Sequence, residues 1–178
     1  MADPTAAPLL FLAALESGQP NLTPAMSRML AEAASVCLAD QDHPNSVELP
    51  LRGDEEDAFG LVRLSVGGAT RRSYNDLQEA VEWGAVAIAL LVTRHLSGYT
   101  VVERSRKGTG FDYWLGDEEE LPFQKKACLE VSGILNGPER IASRIAEKLR
   151  QVERGRGRVS GFVVVVEFST PQVRLMQT

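Results

Sequence analysis

The stretch that decides the fold is residues 110–133, GFDYWLGDEEELPFQKKACLEVSG. Phe111–Leu115 is rich in aromatic and apolar residues, which suit a pleated, half-buried surface, and it reads as a short strand. Gly116-Asp-Glu-Glu-Glu120 is an acidic turn, and Ala127–Ser132 reads as the next strand. Glu130 and Ser132 are two residues apart. On a strand they share one face, while Leu129 and Val131 share the other. A hairpin between the two strands carries Asp112, at the start of the first, towards the same edge as Glu130.

Working outward, Tyr99–Glu103 reads as a preceding strand, joined to Phe111–Leu115 through the tight turn Gly108-Thr-Gly110. Before it lies a long helix, about Asn75 to Leu96, with Ser73 as its cap and Gly98 as its stop. Leu77, Ala80, Val81, Gly84, Ile88, Leu91, Val92 and His95 recur at helical spacing and mark its buried stripe. The small residues in its middle (Gly84, Ala85, Ala87, Ala89) are expected to allow close approach to a sheet. After the hairpin, Pro138–Arg154 is a helix with Ile141, Ile145, Leu149 and Val152 inward. Phe162–Phe168 is a nearly continuous valine run, suited to a strand buried on both faces. Residues 74–178 therefore read as an α/β core in the order α-β-β-β-α-β.

Residues 1–70 read as a small N-terminal α+β extension. Met1–Pro8 is expected to fray, and Leu9–Leu15 to form a short helix. A clearer helix opens at Thr23-Pro24, where Thr caps and Pro takes the first turn. Val47–Leu51 and Gly60–Val66 alternate and are joined by the acidic turn Gly53–Asp57, so a hairpin is expected. Gly67–Arg72 reads as a linker.

At 178 residues, with 44% hydrophobic and 24% charged, the chain has the composition of a globular protein, which excludes wholesale disorder. No uninterrupted apolar run approaches the roughly 18 residues of a membrane span, the longest candidate being Gly84–Val92, so no membrane association is expected. Asp3 and the absence of early Lys or Arg argue against a signal peptide. Cys37 and Cys128 have no CxxC partner and read as buried thiols in a reducing compartment, which points to the cytoplasm. The net charge of −5 divides unevenly: −7 over residues 1–98 and +2 over 99–178. Arg140, Arg144, Lys148, Arg150, Arg154, Arg156 and Arg158 form one basic cluster, and Arg104, Arg106 and Lys107 another. Such clusters supply phosphate contacts even on an acidic protein; a solvated helix face is the equal alternative.

Asp112 and Glu130 are the candidates for chemistry. Paired carboxylates on adjacent strands suit a hard divalent cation, Mg²⁺ or Mn²⁺, whose shell is completed by water and phosphate. A metal there lowers the pKa of a water and clamps a scissile phosphate. The plainer alternatives are that Asp112 satisfies turn amides and that Glu130 is the solvent-facing member of an alternating strand. The apolar surroundings from Ala127 to Gly133 favour function for Glu130, because a buried carboxylate needs a partner or a metal.

The helix–β–β–β–helix–β order, with Asp112 on the second strand and Glu-x-Ser at 130–132 on the third, resembles the PD-(D/E)XK, restriction-endonuclease-like nucleases. That resemblance implies Asp112 and Glu130 as catalytic metal ligands, with Glu82 or Glu79 contributing from the first helix. It further implies metal-dependent hydrolysis of DNA phosphodiesters, with Arg140, Arg144, Arg154, Arg156 and Arg158 gripping the backbone. Two positions depart from the pattern: Phe111 replaces Pro, and Ser132 replaces Lys. Ser132 would orient water, and Lys107 or Lys126 would supply the missing cation. The alternative is a catalytically silent nuclease-fold subunit that uses residues 1–70 to dock a protein partner or a second copy of the chain.

Overall fold

The computed structural model describes residues 7–155 and 157–178. Its strands are β1 (Leu9–Phe11), β2 (Ser46–Gly53), β3 (Asp57–Val62), β4 (Thr100–Arg104), β5 (Tyr113–Gly116), β6 (Ala127–Ile134), β7 (Ser160–Glu167) and β8 (Gln172–Gln177). Among the described residues the helices are α1 (Pro24–Asp40), α2 (Gly68–Ser73), α3 (Leu77–Ser97) and α4 (Ile141–Gly155), with 3₁₀ turns at Leu12–Leu15 and Pro138–Arg140. All eight strands join one mixed sheet in the order β1-β3-β2-β8-β7-β6-β5-β4.

β4, β5 and β6 form an antiparallel meander, and β6 pairs with β7 in parallel through the α4 crossover. β2 and β3 form the expected hairpin. The β2–β3 hairpin is continuous with the rest of the sheet, β2 pairing in parallel with β8. β8 was not legible in the sequence, where Pro171 and the mixed polarity of 172–177 hide it.

α1 and α3 cover one face of the sheet, burying Leu49, Phe59, Leu61, Leu129, Val164 and Phe168. α4 covers the other, packing Ile141, Ile145 and Val152 on Cys128, Ile134, Val163 and Val165. The close approach made by Gly84 is to α1 rather than to the sheet: a Cβ there would lie 2.8 Å from the Ala34 Cα and backbone N. Gly133 takes the other role, letting the Val81 carbonyl of α3 come against β6 where a Cβ would sit 2.4 Å from it. α3 is long and apolar enough by length and composition to cross a membrane, but 67% of its most apolar window is buried in this fold.

Several local expectations change. Leu9–Leu15 splits into β1 and a 3₁₀ turn, because Leu9–Phe11 finds a partner strand in Gly60–Val62. Residues 68–73 form the short helix α2 rather than a linker. The cap of α3 is Asp76, whose carboxylate accepts from Gln78 N and Glu79 N, and Ser73 instead donates to Ala69 O. Thr23 does cap α1, accepting from Met26 N. Asp112 is the residue before β5, not a member of it.

Candidate active site

β5 runs alongside only the first half of β6. Its pairing begins at Tyr113 opposite Leu129, whereas β6 continues beside β7 to Ile134. Asp112 sits where the two strands part. Its backbone N–H donates to Leu129 O at 2.9 Å, and its Oδ2 accepts from Val131 N at 2.9 Å. The carboxylate thus takes the place of the next ladder carbonyl and ends the strand pair. This is the amide-satisfying role that the sequence left open, and it does not exhaust the side chain.

Even-numbered residues of β6 face α4. Glu130, 2% exposed, accepts at Oε1 from Lys148 Nζ at 2.5 Å and from Gln151 Nε2 at 3.0 Å. Ser132 Oγ accepts from Arg144 Nη1 at 2.8 Å. Arg144, Lys148 and Gln151 are spaced i, i+4, i+7, so they stand in one row on α4 while Ile141, Ile145 and Val152 turn inward. Gln151 also donates to Gly110 O, tying the β4–β5 loop to the helix. Gly155 permits that docking, since a Cβ there would overlap Thr109 O.

Asp112 and Glu130 line one cleft, close enough for each carboxyl to act on the other's ionisation. Burial, and secondarily the charge of Asp112, pushes Glu130 up to about 7, against the opposing pull of Lys148. Burial also raises Asp112, opposed first by the Val131 N–H and then by Lys148. Two like charges in low dielectric resist joint ionisation, and both carboxyls are raised rather than lowered.

Two clefts meet at Asp112, and Glu130 lines the smaller of them. The larger, about 640 Å³, lies between α3 and α4 and is lined by Gln78, Glu82 and Trp83 on one wall and Arg140, Arg144 and Lys148 on the other. The smaller, about 510 Å³, is lined by Arg104–Gly108, Gly110 and Gln151. Asp112 and Arg104 border both.

Of the residues expected from sequence, Asp112, Glu130 and Ser132 come together. Glu82 lines the facing wall but does not join the carboxyl pair: it is exposed on α3, while Glu130 points to α4. Glu79 is exposed and lines neither cleft. Lys107 borders the smaller cleft but is exposed, and Lys126 is held by Asp117 and Glu120. The cation beside the carboxyls is Lys148, which the sequence showed only as part of a basic cluster; the row 144, 148, 151 was the signal for it. Arg140 and Arg144 reach the larger cleft. Arg154 and Arg158 are exposed at and beyond the C-terminal end of α4 and line neither cleft, and Arg156 lies outside the described residues.

A Mg²⁺-type cation binds through one or two carboxylates with water completing its shell, and Asp112 with Glu130, lining one cleft, offers that minimum once both are ionised. Among the described residues no three His, Cys, Asp or Glu side chains cluster as a metal site, so the fit is to this minimal donor set. No family model matches the chain, and no curated protein or solved structure matches it.

Proposed function

We propose that this chain is a metal-dependent nuclease-like hydrolase of DNA phosphodiesters, with α3 through β7 as a restriction-endonuclease-like core. The observation that carries the reading is that Asp112 and Glu130 line one cleft where β5 leaves β6, with Lys148 of α4 donating to Glu130. Asp112 and Glu130 would hold the Mg²⁺. The metal, when bound, supplies Lewis acidity and a more acidic water. Lys148 stands where its ammonium stabilises the deprotonated pair, the electrostatic task that a Lys at position 132 would otherwise perform. Arg144 is fixed by Ser132 and offers its remaining N–H groups to a phosphate, a contact favoured by its planar, charged donors.

The test is nicking of supercoiled plasmid in Mg²⁺ or Mn²⁺ by wild type and by Asp112→Ala. Metal-dependent nicking that the variant lacks is the expected result. One observation favours a second reading. Glu130 and Ser132 already have Lys148 and Arg144 as partners, which is how a silent scaffold would be stabilised. In that case wild type does not nick DNA, and substitutions at Met29 or Val36 of α1 disrupt assembly with a protein partner while Asp112→Ala does not.

A further inference from the structure

The larger cleft has two chemically different walls. From α3 and the residue after β6 come Leu77, Val81, Trp83, Val86 and Leu135, with Gln78 and Glu82 beside Trp83 on the same wall. From the 3₁₀ turn before α4 comes Arg140, and from α4 come Arg144 and Lys148, with Asp112 at the base. Trp83 is half-buried, and its ring meets Tyr74 edge to face at 6.4 Å. Tyr74 is itself fixed, its hydroxyl donating to Met29 O at 3.1 Å and meeting Glu32 Oε2 at 3.0 Å. The indole is therefore a preset surface, bought at no ordering cost when a ligand arrives.

A duplex presents phosphates outward and keeps its bases stacked inside, so an apolar aromatic wall beside a basic one has nothing in a duplex to receive. An unpaired strand exposes both a π-face and a phosphate at every nucleotide. Sites for such strands combine an aromatic platform with a positive track. The cavity of about 640 Å³ is in the range that encloses a small organic group. The second cleft continues the positive track, with Arg104, Arg106 and Lys107 on the far side of Asp112.

We infer that the site takes an unpaired strand of nucleic acid, its bases against the Trp83 wall and its phosphates along Arg140, Arg144 and Lys148. The strand crosses the carboxyl pair and leaves along the Arg104–Gly108 loop. This rests on the nuclease reading and names its substrate class: a single-stranded region, flap or frayed end rather than intact duplex.

The test measures binding without divalent metal, so that it does not depend on cleavage. Fluorescence anisotropy of a labelled oligothymidylate and of a blunt hairpin duplex of equal phosphate count is followed at low salt. The single strand is expected to bind about tenfold tighter or better, with Trp83→Ala losing roughly tenfold for the single strand alone, the usual cost of one stacking contact. Trp83→Phe keeps most of the affinity, because the platform survives. In a Trp114→Phe background the remaining indole emission is quenched by the single strand. Where that variant does not fold, the anisotropy series alone decides. Equal affinity for duplex, or an unchanged Trp83→Ala, overturns the inference while leaving a metal-dependent nuclease intact. Binding of neither nucleic acid overturns both readings.

Discussion

Two neighbouring strands each bury a glutamate, and the two glutamates are held in opposite ways. Glu167 ends β7 at 0% exposure, and its carboxylate accepts from Ser169 N at 3.0 Å, Ser169 Oγ at 2.5 Å and Thr170 N at 2.8 Å. All three donors lie within three residues of it. Glu130, in the middle of β6 and 2% exposed, has no such local turn. Its partners arrive from α4 and from the residue before β5, 18 to 21 positions away. A carboxylate satisfied by its own turn is fixed when the turn forms and has no capacity left over. One balanced by a lysine and an amide from another element, beside a second carboxyl, depends on how those elements are placed, which is what the proposed metal site requires.

The largest expected effect separates them by activity. Glu130→Gln is isosteric but cannot supply a full charge to a metal, and Mg²⁺-dependent cleavage should fall on the order of 10³-fold, the scale of several kcal/mol of metal assistance. Glu167→Gln should cleave within a few-fold of wild type when assayed where both are folded. Equal losses at the two positions would mean that burial, not the site, governs activity. Stability comes next and inverts the order. Glu167→Ala strands two backbone amides of the β7–β8 turn, and urea denaturation should show a loss of about 2–4 kcal/mol.

A third contrast is in pH. Glu130 keeps its proton in the folded chain up to about 7, whereas its ordinary value is 4.5. Between those values the folded state binds more protons than the unfolded state, so stability falls as pH rises through the window and levels above it. The fall should be on the order of 2–3 kcal/mol between pH 5 and pH 8, read from urea midpoints, and should be mostly lost in Glu130→Gln, with Asp112 keeping what its own burial causes. Glu167→Gln should keep it. Mg²⁺ should stabilise the wild type more at pH 8 than at pH 5, because the carboxyls must lose their proton to take the ion.

These contrasts also say what was legible in the sequence. The core elements were readable because periodicity reports burial directly: the stripe of α3, the valine run of β7 and the hairpin of β5 and β6 all follow from it. That Glu130 and Ser132 share a face was readable because strand spacing fixes faces, and the hairpin brought Asp112, just before β5, to the same edge. Lys148 was not singled out, because a lysine in a basic helix looks solvated until the helix is placed on the sheet. The capacity of Gly84 to receive a helix rather than a sheet depends on which neighbour arrives, and α1 ends at Asp40, 44 positions earlier in sequence. Nor does sequence distinguish Glu130 from Glu167 by residue type or burial. Only the positions of their partners do.

The smallest expected effect concerns Ser132, the position where a lysine is missing. Its hydroxyl accepts one hydrogen bond from Arg144, and Arg144 is half-buried and can turn to water when that bond is lost. Ser132→Ala should therefore cost about 1 kcal/mol in activation free energy, a few-fold in rate, far less than either carboxyl. Ser132→Lys is more informative. In the wild type a lysine there would meet Arg144 beside it and Lys148 one turn along α4, so three cations would crowd one wall and cleavage should not rise. In Lys148→Met, which leaves Glu130 without its ammonium, cleavage should fall, and adding Ser132→Lys should recover part of it. The comparison is a double-mutant cycle on initial nicking rates. Additive effects would show that the helix lysine and the strand position act independently. Rescue would show that α4 carries the charge that β6 lacks, which is the difference between Glu130 and Glu167 expressed in rate.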